Sequence, residues 1–170
     1  KGFKYGPSTL LDSVAWDGLT DSLSHEAMGE LTESGNGERN IARAEQDEVA
    51  AASHQRAARA QSEGVFEGEI APVEVPQRKG DPLVVSQDEG VRPDTTAESL
   101  GALRPAFAKD GTITAGNSSP LSDGAAALVV TSRAFAEEKG LTILATVGAP
   151  GQTAGPDSSQ LHSQPSDAIN

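Results

Sequence analysis

Asp110-Gly-Thr-Ile-Thr-Ala-Gly-Asn-Ser-Ser119, followed by Ser122-Asp-Gly-Ala-Ala-Ala127, decides the fold of this chain. The first part reads as a loop, because Gly, Ser, Thr and Asn supply turn geometry and side chains that bond their own backbone. It runs into a continuous small and apolar stretch, Gly124–Val130, whose shortness and Val-Val end predict a strand buried on both faces. Ser132 is placed to cap a helix over Arg133–Lys139, Gly140 to stop it, and Leu144–Gly148 reads as a further strand. Strand, helix and strand in succession are the grammar of an α/β sheet. One such unit cannot cover both its faces, so it reads as the edge of something larger.

Upstream, Leu10, Leu11, Val14 and Ala15 share a face at helical spacing and predict a helix from Leu10 to Leu19, with Thr9 and Asp12 at capping-box spacing. Glu33 to Asn40 is polar and glycine-rich and reads as a frayed helix end followed by a loop. The clearest helix runs from Arg43 to Glu63. Its acidic residues come early, Arg56 and Arg59 come late, alanines fill its middle, and Gly64 follows as a stop. Val73–Val75 and Leu83–Val85 predict a hairpin around Pro76-Gln-Arg-Lys-Gly-Asp-Pro82. A short helix is expected over Thr96–Leu103, boxed by Thr95 and Glu98. From Pro150 the chain is polar and loop-like, with Asp167, Ala168 and Ile169 as the first turn of a helix.

Composition sets the outer limits. The chain has 170 residues, 36% of them hydrophobic, a net charge of −12 and a pI near 4.5. That charge argues against broad binding to nucleic acid or to an anionic membrane. An anionic ligand would need local basic groups or backbone N–H donors. There are no cysteines, which removes disulfides, thiolate metal sites and a cysteine nucleophile from these residues. No apolar run reaches the roughly 20 residues that span a bilayer, and no signal-peptide pattern opens the sequence. The first residue is Lys1 rather than Met, so a natural N-terminus further upstream is expected. The expected compartment is cytoplasmic, with an upstream targeting segment left open.

The decisive stretch, with Leu103-Arg-Pro-Ala-Phe107 before it, resembles the thiolase family. Further matches follow the family's order: Asp17-Gly-Leu19; Met28-Gly29 with Thr32-Glu33 and Asn40; Gln46-Asp47 with Ser53-His-Gln55; and Asp88-Glu89, Arg92 and Pro93-Asp-Thr-Thr96. The resemblance implies a thiolase-like α/β fold. A helical and irregular loop domain with a small hairpin, residues 1–118, would cover coenzyme A. Residues 119–140 would be the chain returning to the N-terminal half, and 141–170 the truncated start of the C-terminal half. The family's nucleophilic cysteine would lie upstream, and its Asn-Glu-Ala-Phe, Gly-His-Pro and second-cysteine motifs downstream. His25, His54 and His162 lack the Gly-His-Pro context, so no catalytic residue and no metal ligand is assigned here.

The resemblance also implies a ligand-binding set. Leu19 and Met28 would line the pantetheine and adenine side of a groove, and Arg92 would lie near the phosphates or adenine. Ser99 would approach the adenine, Ala106 and Phe107 would pack on the ligand, and Ala115 and Ser119 would contact the pantetheine arm. The implied activity is acyl transfer between acyl-CoA molecules, by thiolysis of a 3-ketoacyl-CoA or condensation of two acetyl-CoA, in a homodimer or homotetramer. These 170 residues alone would be inactive. A non-catalytic CoA-binding or interaction module is the competing reading. Taken singly, Phe107 and Met28 read as core, Arg92 as a surface arginine, Ser119 as a turn residue, and Asn117 and Asp123 as loop structure. His54 reads as exposed or capping a neighbour. Three departures stand out: Pro120 where Gly is common, Ala27 where His is common, and Ala42 where a capping Ser is common.

Overall fold

The alanine-rich segment forms the longest helix, as its composition predicts. The computed structural model describes every residue except Lys1, Phe3, Lys4, Pro156 and Asp157. Helix α1 covers Met28–Arg39 and α2 covers Arg43–Ser62. Strands β1, Val73–Val75, and β2, Leu83–Val85, form an antiparallel hairpin with Val73 opposite Val85 and Val75 opposite Leu83. Helix α3 covers Ala97–Gly101, α4 Arg133–Glu138 and α5 Gln164–Ile169.

Helix α2 ends where glycine permits it, with Gly64 at φ +70°. Its start is only half capped. The Glu45 carboxylate accepts the Ala42 N–H at 3.0 Å, but Ala42 has no side-chain acceptor to return. Helix α1 corrects the sequence reading. It stays helical through Gly35, Asn36 and Gly37, where a frayed end and loop were expected. Each glycine costs about 1 kcal/mol in a helix, but Leu31, Gly35 and Asn36 are buried, so tertiary packing overrides propensity. The helix stops at Asn40, which takes the left-handed conformation at φ 55°.

The apolar core is small: Leu31 from α1, Ala51 from α2, Leu100 from α3 and Ile113 from the following loop, with Ala136 of α4 also buried. Buried polar residues are as prominent, among them Asn36, Asp47, Thr95 and Thr114. The loop that decided the sequence reading is therefore part of the core.

Other expectations need correction. The helix expected over Leu10–Leu19 is only a π-helical turn, Val14–Gly18. Asp12 Oδ1 accepts the Val14 and Ala15 N–H groups at 2.8 and 3.2 Å, but Leu10 and Leu11 remain exposed. An apolar face with nothing opposite gains too little to propagate a short helix. Trp16 of this turn stacks on His25, with centroids 6.1 Å apart and planes 7° from parallel. The α3 cap falls one residue later than expected: Thr96 and Ser99, not Thr95 and Glu98, form the reciprocal box. Helix α5 begins at Gln164, before the expected Asp167, with Pro165 in its first turn. A 3₁₀ turn, Ser158–Ser163, precedes it, and Arg39 of α1 donates to Gln160 and Ser163 there.

Residues 124–130 and 144–148, both expected as strands, form no strand pairing among the described residues; the Thr146 hydroxyl accepts Arg133 Nη2 at 3.3 Å. Leu128, Val129, Val130, Leu144 and Val147 are exposed. A strand is defined by its ladder, and no neighbouring strand is available here. Between them α4 forms as predicted, with Ser132 Oγ accepting the Phe135 N–H at 3.2 Å and Gly140 at φ +63°. Among the described residues no helix is long and apolar enough to cross a membrane.

Candidate functional site

Residues 105–119 form a loop fastened to α1 and α2 by polar side chains. Ala106 N–H donates to the Ile113 carbonyl at 2.9 Å, and Pro105 bridges Thr114, which closes the loop on itself. Glu33 of α1 reaches into it. Its Oε1 accepts the Thr112 and Ile113 N–H groups at 2.7 and 2.6 Å, and its Oε2 accepts the Thr112 hydroxyl at 2.9 Å. The Thr112 oxygen in turn accepts from Gln46 Nε2 at 2.9 Å and Asn36 Nδ2 at 3.4 Å. Burial alone would raise the Glu33 carboxyl. The bonds from Ile113 and Thr112, with the positive charge of Arg43, outweigh it and hold the group below its ordinary value.

A second fastening comes from α2. Buried Asp47 pairs with Arg43 Nε at 2.7 Å and accepts Asn117 Nδ2 at 2.9 Å. Asn117 also donates to the Thr112 carbonyl at 3.0 Å and accepts the Thr114 N–H at 2.7 Å. Arg43 goes on to the Leu100 and Leu103 carbonyls, at 2.7 and 3.2 Å, tying α3 to the same point. Asn117 is thus structural, as the sequence suggested. His54 Nδ1 accepts the Arg92 N–H at 3.2 Å, and Gln55 donates to the Thr95 carbonyl at 3.1 Å, so α2 also holds residues 92–95.

The eight residues of the expected binding set fall into three places. Leu19, Met28 and Phe107 come together: Met28 N–H donates to the Leu19 carbonyl at 2.9 Å, and the Phe107 ring lies against Gly29 so closely that a Cβ there would collide with it. Met28 is 41% and Phe107 39% exposed, so neither is core. Ala106 precedes Phe107 on the same segment and is exposed. Ser99 and Ala115 lie near α3, where Gly116 packs on Leu100 and Leu103. The Ser99 hydroxyl is committed to the α3 cap, donating to the Thr96 carbonyl at 2.9 Å and accepting its N–H at 3.1 Å. Arg92 and Ser119 are exposed and flank a third place, a cavity of about 540 Å³ lined by Ser53, His54, Asp88, Glu89, Val91 and Pro120 among others. Its two carboxylates disfavour an anionic ligand inside it. A smaller cavity of about 410 Å³ lies by Phe66 and Ile70. None of the eight lines either cavity. Among the described residues no group of three or more His, Asp or Glu is arranged to hold a metal ion.

The profile of the thiolase N-terminal domain matches residues 1–134. The chain belongs to the thiolase family. A "Probable acetyl-CoA acetyltransferase" of Mycolicibacterium smegmatis is 58% identical over 169 residues, and its Mycobacterium tuberculosis namesake is 56% identical. Each match covers 99% of this chain but 43% of the relative, so the chain spans less than half the length of those thiolase relatives. Among solved structures, the Bacillus anthracis acetyl-CoA acetyltransferase matches with a TM-score of 0.72 at 42% identity, over 82% of this chain and 35% of that one. Human mitochondrial 3-ketoacyl-CoA thiolase, solved in complex with CoA, matches with a TM-score of 0.71 at 37% identity, over 83% of this chain and 34% of that one. The fold is therefore of the thiolase-like α/β class, with these residues supplying the helices, the loop and the two-stranded hairpin.

Glu33 and Asp47 stand in the matched motifs, but no role for them was legible in the thiolase sequence. The pattern could have suggested one. Two acidic residues on helices, with Thr112 and Asn117 in a loop whose backbone needs partners, are the ingredients of such a fastening.

Proposed function

We propose that this chain is the coenzyme A-covering part of a thiolase that transfers acyl groups between acyl-CoA molecules. Residues 1–118 would be the covering domain, 119–140 the return to the N-terminal half, and 141–170 the start of the C-terminal half. What carries the reading is an apolar ridge: Met28 at the start of α1 and Phe107 on the fastened loop are both open to solvent, with half-buried Leu19 beside Met28. Large apolar side chains held rigid yet uncovered mark a binding surface. It is supported by the CoA complex of the human mitochondrial relative, which matches over 83% of this chain.

In this reading the ridge would take the pantetheine arm and the adenine side. The small Ala106 and Ala115 would let the arm run close to backbone, Ser99 would approach the adenine, and Ser119 would offer its hydroxyl to an amide. Arg92 would supply charge-assisted bonds to phosphate. A cysteine thiolate on polypeptide outside these residues would take the acyl group, and a second base would activate the other acyl-CoA. This chain would contribute binding and orientation. The working enzyme would be a cytoplasmic homodimer or homotetramer.

The test is a CoA titration of the full-length protein and of its Arg92→Ala variant. Saturable binding that weakens about 10-fold in the variant, on the order of 1–2 kcal/mol, fits a charged donor to the ligand. Absence of CoA binding by the wild-type protein would end the reading, and an unchanged Kd would remove Arg92 from the site. The 170 residues alone are expected to show no thiolysis of acetoacetyl-CoA.

A further inference from the structure

We propose that Glu33 is a positioning residue for the acyl-CoA surface, setting through the Thr112 and Ile113 amides where Phe107 sits against Gly29, next to Met28, and where Ser119 begins. This rests on the reading of that surface given above. Glu33 lies four residues after Gly29 on α1, so the two share a face. The loop therefore meets α1 twice: Phe107 against Gly29, and Thr112-Ile113 on the carboxylate one turn later. These contacts belong to opposite arms of one closed loop, because Ala106 donates to Ile113 at 2.9 Å. Fixing Ile113 fixes Ala106 and, through it, the Phe107 ring.

The same clamp reaches the other end of the loop. Asn117 is bonded to the Thr112 carbonyl and the Thr114 N–H, and the Ser118 hydroxyl to the Thr114 carbonyl at 2.7 Å. The segment entering Ser119 is thus tied through Asn117 and Ser118 to Thr112 and Thr114, and Glu33 holds Thr112 and Ile113 directly. The Glu33 bonds go to Thr112 and Ile113, so its effect on the ridge runs through the loop.

The site calls for a carboxylate. Thr112 Oγ1 already accepts two NH₂ donors, from Gln46 and Asn36, so its proton must find an acceptor. Glu33 Oε2 is that acceptor. In Glu33→Gln the remaining oxygen can keep both backbone amides, but the new NH₂ faces a hydroxyl oxygen that is already taken. In Glu33→Ala all three bonds go.

The experiment uses the full-length protein with either substitution and reads two quantities: hydrogen exchange at the Thr112 and Ile113 amides, and CoA affinity with kcat alongside. The expected order is wild type, then Glu33→Gln about 10-fold weaker in Kd, then Glu33→Ala weaker still. Amide protection should fall in the same order, and the loss should show in Kd more than in kcat, as when the weakened contacts hold substrate and transition state alike. If protection falls while the Kd holds, Glu33 is only structural and the proposal is overturned. Unchanged protection in Glu33→Gln and Glu33→Ala overturns it as well. Should Glu33→Ala fail to fold, Glu33→Gln decides the matter alone. Failure of the wild type to bind CoA would instead strike the underlying reading, and the amide exchange would still tell whether the clamp exists.

Discussion

Residues 28–119 and residues 120–150 are both rich in small and apolar side chains, yet only the first region closes on itself. In the first, helices α1 and α2 supply Glu33, Asn36, Gln46 and Asp47, and these complete the hydrogen bonding of a glycine-rich loop. In the second, Leu128, Val129, Val130, Leu144 and Val147 stand in solvent, and no strand among the described residues pairs with them. A loop can therefore be more self-sufficient than a strand. The loop needs a few side-chain partners close by, whereas a strand needs another strand along its whole edge.

The largest effect expected from this contrast is kinetic. In the 170-residue chain, amides of residues 124–130 should exchange nearly unprotected, while those in the middle of α2 exchange more slowly by on the order of 1,000-fold. Slow exchange at Leu128 to Val130, read by mass spectrometry or NMR, would break the comparison.

Next comes the fastening itself. Asp47→Ala removes a buried carboxylate from both Arg43 and Asn117. Breaking such a pair from one side should cost about 3 kcal/mol in chemical denaturation. Loss of less than about 1 kcal/mol, the range of an exposed pair, would show that the loop does not depend on it.

A smaller effect follows acid. The Glu33 carboxyl is held below its ordinary 4.5 in the folded protein. Its contribution should therefore be complete above that value and be lost as the pH falls through the lower folded value. Exchange at the Ile113 amide should quicken over that acid window, and Glu33→Gln should flatten the response. The smallest effect sharpens the other end of the helix. Ala42→Ser would complete the half cap of α2 and should add about 0.5–1 kcal/mol to stability in thermal unfolding.

How much of this was legible in sequence depended on whether the deciding interaction was local. Helix α2, the hairpin and α4 with Ser132 and Gly140 carry their signals within a few residues, and all three formed as read. Helix α1 was misread because its glycines argue against a helix, and only the distant loop at Thr112 explains why Gly35 and Asn36 are buried. The α3 cap slipped by one residue because Thr95 and Thr96 are both good caps. The choice was made by burial of Thr95 and the bond from Gln55. At the candidate site, the ordered motifs pointed to Leu19, Met28 and Phe107, which the structure brings near one another. They did not locate the network beneath it, since Glu33 lies 79 residues from Thr112 and Asp47 lies 70 from Asn117.

Trp16 is the one tryptophan among these residues, half open to solvent and stacked on His25, three positions before Leu19. Indole emission shifts with the polarity around the ring. The chain therefore carries its own optical reporter three residues from Leu19, one that would register a ligand settling on the proposed ridge without any label.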